Sequence, residues 1–171
     1  MDVVTAPADA AVDLSRTECL SLLASVPIGR VVFTQRALPA ILPMSFLLDC
    51  GHVVLRTGEG TVLLAARTRS VMAFEADAYD AAGGSGWSVT VTGRAIEVTD
   101  GVELDRLREL PLAPYARGSR DHYVLIPVEL VDGRRVGAAP GPPRAPEAAH
   151  PTPVPPPDRT PMTDTTDQDP R

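Results

Sequence analysis

The chain has 171 residues, 44% of them hydrophobic, and a formal net charge of -6 at pH 7. That suits one domain with extensions, and so acidic a balance leaves no electrostatic footprint for duplex nucleic acid or an anionic membrane. No run of about 18 or more apolar residues is present to span a bilayer. Residues 1–11 carry Asp2 and Asp9 rather than the basic and then apolar pattern of a secretion signal. The expected location is therefore cytoplasmic.

In chain order, residues 1–13 read as a disordered N-terminus, residues 14–137 as a single domain and residues 138–171 as a disordered tail. Eleven of the 18 prolines lie from Pro140 onward, and the tail has too few apolar residues to offset the entropy of ordering. Within the domain, Ser15 and Glu18 form a capping box. Cys19, Leu20, Leu22, Leu23 and Val26 supply the apolar face of a helix that Pro27 ends. Strands are expected at Ile28–Thr34, Ala40–Leu48 and His52–Thr57, joined by turns at Gln35–Arg36 and Asp49–Gly51.

Gly58-Glu59-Gly60 breaks the strand pattern, and Thr61 opens a short helix over Val62–Thr68. A fourth strand is expected at Val71–Ala76 and a loop over Asp77–Gly86. In the long strand Trp87–Val98, Trp87, Val89 and Val91 alternate with Ser88, Thr90 and Thr92. Asp100 and Glu103 repeat the capping pattern for a helix that runs to Leu110. Asp121–Val136 is the last extended segment, with His122, Val124, Ile126, Val128 and Leu130 on one face. About six tightly spaced strands favour closure into a barrel, which removes exposed edges. Cys19 and Cys50 make no disulfide framework or metal motif and are expected to be reduced and buried.

Most catalytic signatures are absent: there is no nucleophile elbow, no phosphate-binding Walker loop and no dinucleotide fingerprint. His52, His122 and His150 lack the spacing of a zinc site, so no metal is expected. Two segments stand out. In Leu55–Thr61, an arginine, two hydroxyls and the free amides of a helix start lie within a few residues, a set that suits a phosphate. An ordinary strand–turn–helix with a threonine cap accounts for the same residues. In Gly86–Ala95, one strand face carries only small hydroxyl residues, either solvated or turned toward a polar ligand.

These segments also carry a likeness. Ile28–Phe33, Ile41–Phe46, Val54–Thr57 with Gly60-Thr61, Val71–Asp77, Gly86–Ala95 and Gly133–Val136 follow in an order and spacing that resembles the pyridoxamine 5′-phosphate oxidase-like family of flavin-binding split barrels, most closely its small actinobacterial-type members. The resemblance implies an α+β, mainly β fold: a six-stranded antiparallel split β-barrel with flanking short helices, paired as a homodimer with FMN between the subunits. It implies that Pro43, Met44, Ser45 and Phe46 line the flavin ring and that Arg56, Thr57 and Thr61 meet the phosphate. Trp87 and Ser88 would approach from the other subunit. Family members usually carry a lysine directly after the Gly-Thr pair, and this chain has Val62. Arg67 and Arg69 are the nearby cations that stand to compensate. FMN is the first expected cofactor, with the deazaflavin F420 or none as alternatives.

The function expected from this likeness is a flavin-dependent oxidoreductase acting on a small molecule, with no catalytic residue assigned. A non-enzymatic dimeric module that binds a flavin or small ligand uses the same scaffold. A haem-handling barrel would need His52 or His122 as axial ligand.

Overall fold

Nine strands and three short helices make up residues 11–112 and 121–137, the residues that the computed structural model describes. The proline-rich segment 138–171 and residues 1–10 lie outside the described residues. The strands are β1 (Val12–Asp13), β2 (Ile28–Gln35), β3 (Leu38–Asp49), β4 (His52–Thr57), β5 (Val71–Asp80), β6 (Ser85–Arg94), β7 (Ile96–Glu97), β8 (His122–Pro127) and β9 (Leu130–Val136). The helices are α1 (Arg16–Leu23), α2 (Thr61–Arg67) and α3 (Gly101–Arg108). Every strand pairing is antiparallel, in the order β1-β9-β6-β5-β2-β3-β4-β8-β7.

The sheet is thus mainly β and antiparallel, as expected, but it has nine strands rather than about six. Three local events account for the difference. The segment expected to run unbroken over Asp121–Val136 divides after Pro127: β8 pairs with β4 and β7, while β9 pairs with β6 and β1. At the break, the Val128 amide leaves the ladder to donate to the Gly51 carbonyl at 3.0 Å. Consequently Val124, Ile126 and Val128 are buried but Leu130 is 68% exposed, so the expected common face ends at the break. The strand expected over Trp87–Val98 breaks at Ala95, whose amide donates to Ser70 at 3.0 Å. Val12–Asp13 adds an edge strand against Arg134–Arg135, so the domain starts just ahead of Leu14.

The loop expected over Asp77–Gly86 is largely a hairpin. Asp77, Ala78, Tyr79 and Asp80 pair with Ser88, Trp87, Gly86 and Ser85, leaving a short turn whose Ala82 amide donates to the Asp80 carboxylate at 3.0 Å. Cross-strand partners are a tertiary property, so a run of Asp, Ala and Gly reads as a loop until its partner strand is known.

Strand β3 joins the two halves of the sheet. Its first part pairs with β2, and Phe46–Asp49 pair with β4. The concave side holds the main core, where Val31, Phe46, Leu55, Phe74, Val89, Val91 and Ile126 meet Cys19 and Leu23 of α1 and Val62, Leu63 and Ala66 of α2. Each fully buried aliphatic side chain here contributes roughly 1.5–3 kcal/mol relative to an exposed one. A second cluster, with Val54 and Tyr123 against Val98, Leu107 and Leu112, covers the other side of β4 and β8. Those two strands are therefore buried on both faces, which explains the unbroken apolar run Val53-Val54-Leu55.

Both expected caps form. Ser15 accepts from the Glu18 amide at 3.3 Å while the Glu18 carboxylate accepts from the Ser15 amide at 2.9 Å, and Asp100 accepts from the Glu103 amide at 2.9 Å. At Gly93 any side chain would run into the backbone of Pro127, so β6 and the end of β8 approach as closely as they do only because no Cβ intervenes. Cys19 is buried as expected, but Cys50 is exposed. It occupies the Asp49–Gly51 turn at φ 45, where its side chain points away from the sheet's interior. Among the described residues no helix is long and apolar enough to cross a membrane.

Candidate functional site

The turn that follows β4 brings the chemistry together. Successive side chains of a strand point to opposite faces, and this divides Arg56 from Thr57. Thr57 faces the main core at 7% exposure, with its hydroxyl donating to the Gly58 carbonyl at 3.2 Å. Arg56 lies on the other face, its guanidinium 5.8 Å from the centre of the Tyr123 ring, within cation–π range. Gly60 then takes φ 155, a conformation that L side chains rarely adopt, and α2 begins at Thr61.

Thr61 looks into a cleft of about 420 Å³ between α2 and the β2–β3 hairpin. One wall is Phe33, Thr34, Gln35 and Arg36, and the other is Thr61, Leu64, Ala65, Thr68 and Ser70. The hairpin tip is strained, since Arg36 and Ala37 hold φ 50 and 62 without being glycine. Gln35 pairs with Leu38, so Arg36 and Ala37 are the two residues of a tight hairpin turn that requires positive φ at both, and Arg36 also lines the cleft.

The other expected contacts alternate between two surfaces. Met44, Phe46 and Trp87 are turned into the core at 6%, 5% and 8% exposure. Pro43, Ser45 and Ser88 stand on the convex face. Pro43 lies opposite Arg30 and Ser45 opposite Ile28 across β2–β3, while Ser88 lies opposite Asp77 across β5–β6. Arg30 links the two ends of this band by pairing with Glu75 and Asp77. Among the nine expected residues, then, Thr57 and Thr61 flank one turn, Pro43, Ser45 and Ser88 share the convex face, and the rest are built into the interior or lie against Tyr123.

Four residues that the sequence reading did not group meet beside the same turn. Arg67, at the end of α2, donates from Nε to Glu97 at 2.8 Å and from Nη2 to the same carboxylate at 3.1 Å. Its outer edge donates to Glu59 at 3.2 and 3.4 Å. The His122 ring lies between the same two carboxylates, with Nε2 3.2 Å from Glu59 and Nδ1 3.3 Å from Glu97. The Arg67 guanidinium holds the Glu97 carboxyl below the usual carboxylate range, and Glu97 and then Glu59 raise Arg67 further. The only sequence signal was a glutamate flanked by two glycines. Glu97 and His122 come from strands whose neighbours cannot be read from local pattern.

The two cations expected to compensate for Val62 are both placed. Val62 is 4% exposed and belongs to the main core, Arg67 is engaged by two carboxylates, and Arg69 lies past the helix end at φ 52. The histidines weighed for haem are also placed: His122 as above, and His52 at the far end of β4 with Nδ1 2.9 Å from the Cys50 carbonyl oxygen.

The family model described as pyridoxamine 5′-phosphate oxidase matches residues 15–135. The chain belongs to the pyridoxamine 5′-phosphate oxidase family. An uncharacterised protein of Mycobacterium tuberculosis, Rv0080, is 44% identical over 132 residues, covering 74% of this chain and 86% of that one. Among solved structures, the FAD binding protein from Mycobacterium smegmatis is similar at 35% identity and TM-score 0.60, over 74% of this chain and 98% of that chain. A Corynebacterium diphtheriae protein of unknown function is similar at 30% identity and TM-score 0.61, over 74% and 98%. In this member of the pyridoxamine 5′-phosphate oxidase family, Thr57 and Thr61 stand on either side of the Gly58–Gly60 turn, with the Glu59–Arg67–Glu97–His122 cluster next to them.

Proposed function

We propose that this protein binds a flavin and works as a flavin-dependent oxidoreductase on a small molecule, as a homodimer in the cytoplasm. The observation that carries the reading is the likeness, at 35% identity over nearly the whole of its length, to a FAD binding protein. The chain's own geometry supports it. The cleft of about 420 Å³ is of a size that holds a small planar ligand, with Phe33 and Arg36 on one side and Thr61, Thr68 and Ser70 on the other. A bound flavin supplies the hydride or single-electron chemistry, and the protein supplies binding, orientation and field. Here Phe33 and Leu64 exclude water, the hydroxyls orient polar ring edges, and Arg36 contributes positive charge at the mouth.

FMN is the form the family likeness implies, and F420 is the alternative; the similar solved protein is a FAD binding protein, so FAD joins the test. The homodimer is supported by the convex face, where Ile28, Ile41, Val71 and Leu130 are 44%, 60%, 54% and 68% exposed. Apolar groups in such number mark a surface that is covered. A second copy across that face would bring Ser88 of each subunit toward Pro43 and Ser45 of the other.

The non-enzymatic binding module draws support from one observation: Val62 is packed in the core, and the nearby Arg67 is already paired. An absorption spectrum of the full chain after addition of FMN, FAD or F420 and desalting separates the cases. Retained flavin absorbance that reduced nicotinamide then bleaches, with turnover of a small acceptor, supports the enzyme. Retention without any reduction supports the binding module. No retained chromophore, with a monomer by light scattering, rejects both.

A further inference from the structure

We propose that Glu59 is an internal stand-in for the phosphate of a flavin nucleotide, and that a bound phosphate replaces the Glu59 carboxylate on Arg67 and His122. This rests on the flavin reading above and adds the anion-binding residues to it. The two carboxylates of the cluster are not equivalent. Glu97 is 15% exposed and meets Arg67 at 2.8 Å, whereas Glu59 is 71% exposed and meets it at 3.2 Å. Glu97 sits in β7 and fixes the inner edges of the guanidinium and the imidazole. The outer edges of both then converge on one place, which Glu59 fills from a turn flanked by Gly58 and Gly60.

An exposed ion pair of this kind contributes little stability, so releasing Glu59 costs little, while Glu97 keeps the Arg67 guanidinium and the His122 ring in position. Both Glu59 oxygens are in use, Oε2 on Nη1 of Arg67 and Oε1 on Nη2 of Arg67 and Nε2 of His122. A phosphate brings a third oxygen and a second negative charge to the same donors, and charge-assisted bonds to such groups are the strong ones. Thr57 stands opposite His122 in the β4–β8 ladder and shares its face, so its hydroxyl would have to leave the Gly58 carbonyl to donate to that third oxygen. The arrangement also explains how a chain with Val62 after Thr61 would hold a phosphate: the guanidinium comes from the end of α2 and a ring nitrogen from β8 instead.

The test compares FMN with riboflavin, which share a ring and differ by the phosphate. Flavin fluorescence titrations use the full chain, Glu59→Gln and Arg67→Gln. Glu59→Gln is expected to tighten FMN about tenfold and Arg67→Gln to weaken it about tenfold, as for one charge-assisted contact, with riboflavin unchanged in all three. Unchanged FMN affinity in Glu59→Gln, or riboflavin moving in step with FMN, overturns the proposal and leaves the flavin reading standing. If neither flavin binds, the flavin reading falls and inorganic phosphate decides the rest. In that case the His122 ring signals, assigned by NMR through His122→Gln, must shift at lower phosphate concentration in Glu59→Gln than in the parent. No shift in either protein overturns the exchange as well.

Discussion

His122 stands directly across from Thr57 in the β4–β8 ladder, so a ring from the last strands of the domain shares a face with the residue that ends β4. Through that pairing His122 joins the Glu59–Arg67–Glu97 cluster, because the imidazole reaches both carboxylates at once. As both ring nitrogens face carboxylate oxygens, the ring serves both only when each nitrogen carries a proton.

Glu97 should make the domain more sensitive to acid. Its carboxyl is held below the usual range by Arg67, so the ion pair's contribution is complete above about pH 4.3, the ordinary glutamate value, and is lost as pH falls through the lower folded value. Asp49 and Glu103, lowered by Arg106, act in the same direction. In thermal melts between neutral pH and pH 3, Glu97→Gln is expected to show a smaller drop in Tm than the parent. An equal drop would show that the Arg67–Glu97 pair carries no pH-dependent stability.

The β2–β3 hairpin should gain from glycine. Ala37 holds φ 62, and left-handed backbone costs an L residue about 1–2 kcal/mol, part of which glycine returns as extra freedom in the unfolded chain. Ala37→Gly is expected to stabilise by about 0.5–1 kcal/mol and raise Tm by about 2–4 °C. A lowered Tm would mean that the tip is not held in that conformation in solution.

Restoring the family's usual lysine should damage the protein. Val62 is among the core residues that α2 presents to β-strands, so Val62→Lys forces an ammonium toward apolar surroundings unless its stem snorkels out. The expected loss is about 2 kcal/mol or more in urea unfolding, with no gain in FMN affinity. A variant of parental stability that binds FMN more tightly would show that the side chain reaches the turn after all.

The two thiols should separate cleanly. Cys19 is 1% exposed, and burial together with Asp132 and Glu18 pushes its thiol pKa up, while Cys50 is exposed on its turn. A chromogenic disulfide reagent is expected to titrate one thiol in the folded protein and the second only after denaturation. Cys50→Ser should abolish the fast phase.

Local pattern was sufficient for much of this. The Ser15 and Asp100 caps, the β2–β3–β4 meander and α2 after the Gly58–Gly60 turn all depend on neighbours in sequence, and the structure shows each of them. The inward alternation of Trp87, Val89 and Val91 was equally legible, since side chains in a strand repeat every second residue.

What depended on distant partners was not legible. The division of residues 121–136 into β8 and β9 follows from which strands accept each half, and the hairpin at Asp77–Asp80 from partners in β6. The burial of Val62 and the pairing of Arg67 likewise reflect what the fold sets around α2. The sequence by itself determined the antiparallel, mainly β domain, its caps and a hydroxyl-rich turn before α2, because those follow from periodicity and short-range hydrogen bonding. Only the tertiary structure decided that this turn faces Arg67, His122 and Glu97, because contacts across β7, β8 and α2 join residues whose separation along the chain leaves no local trace.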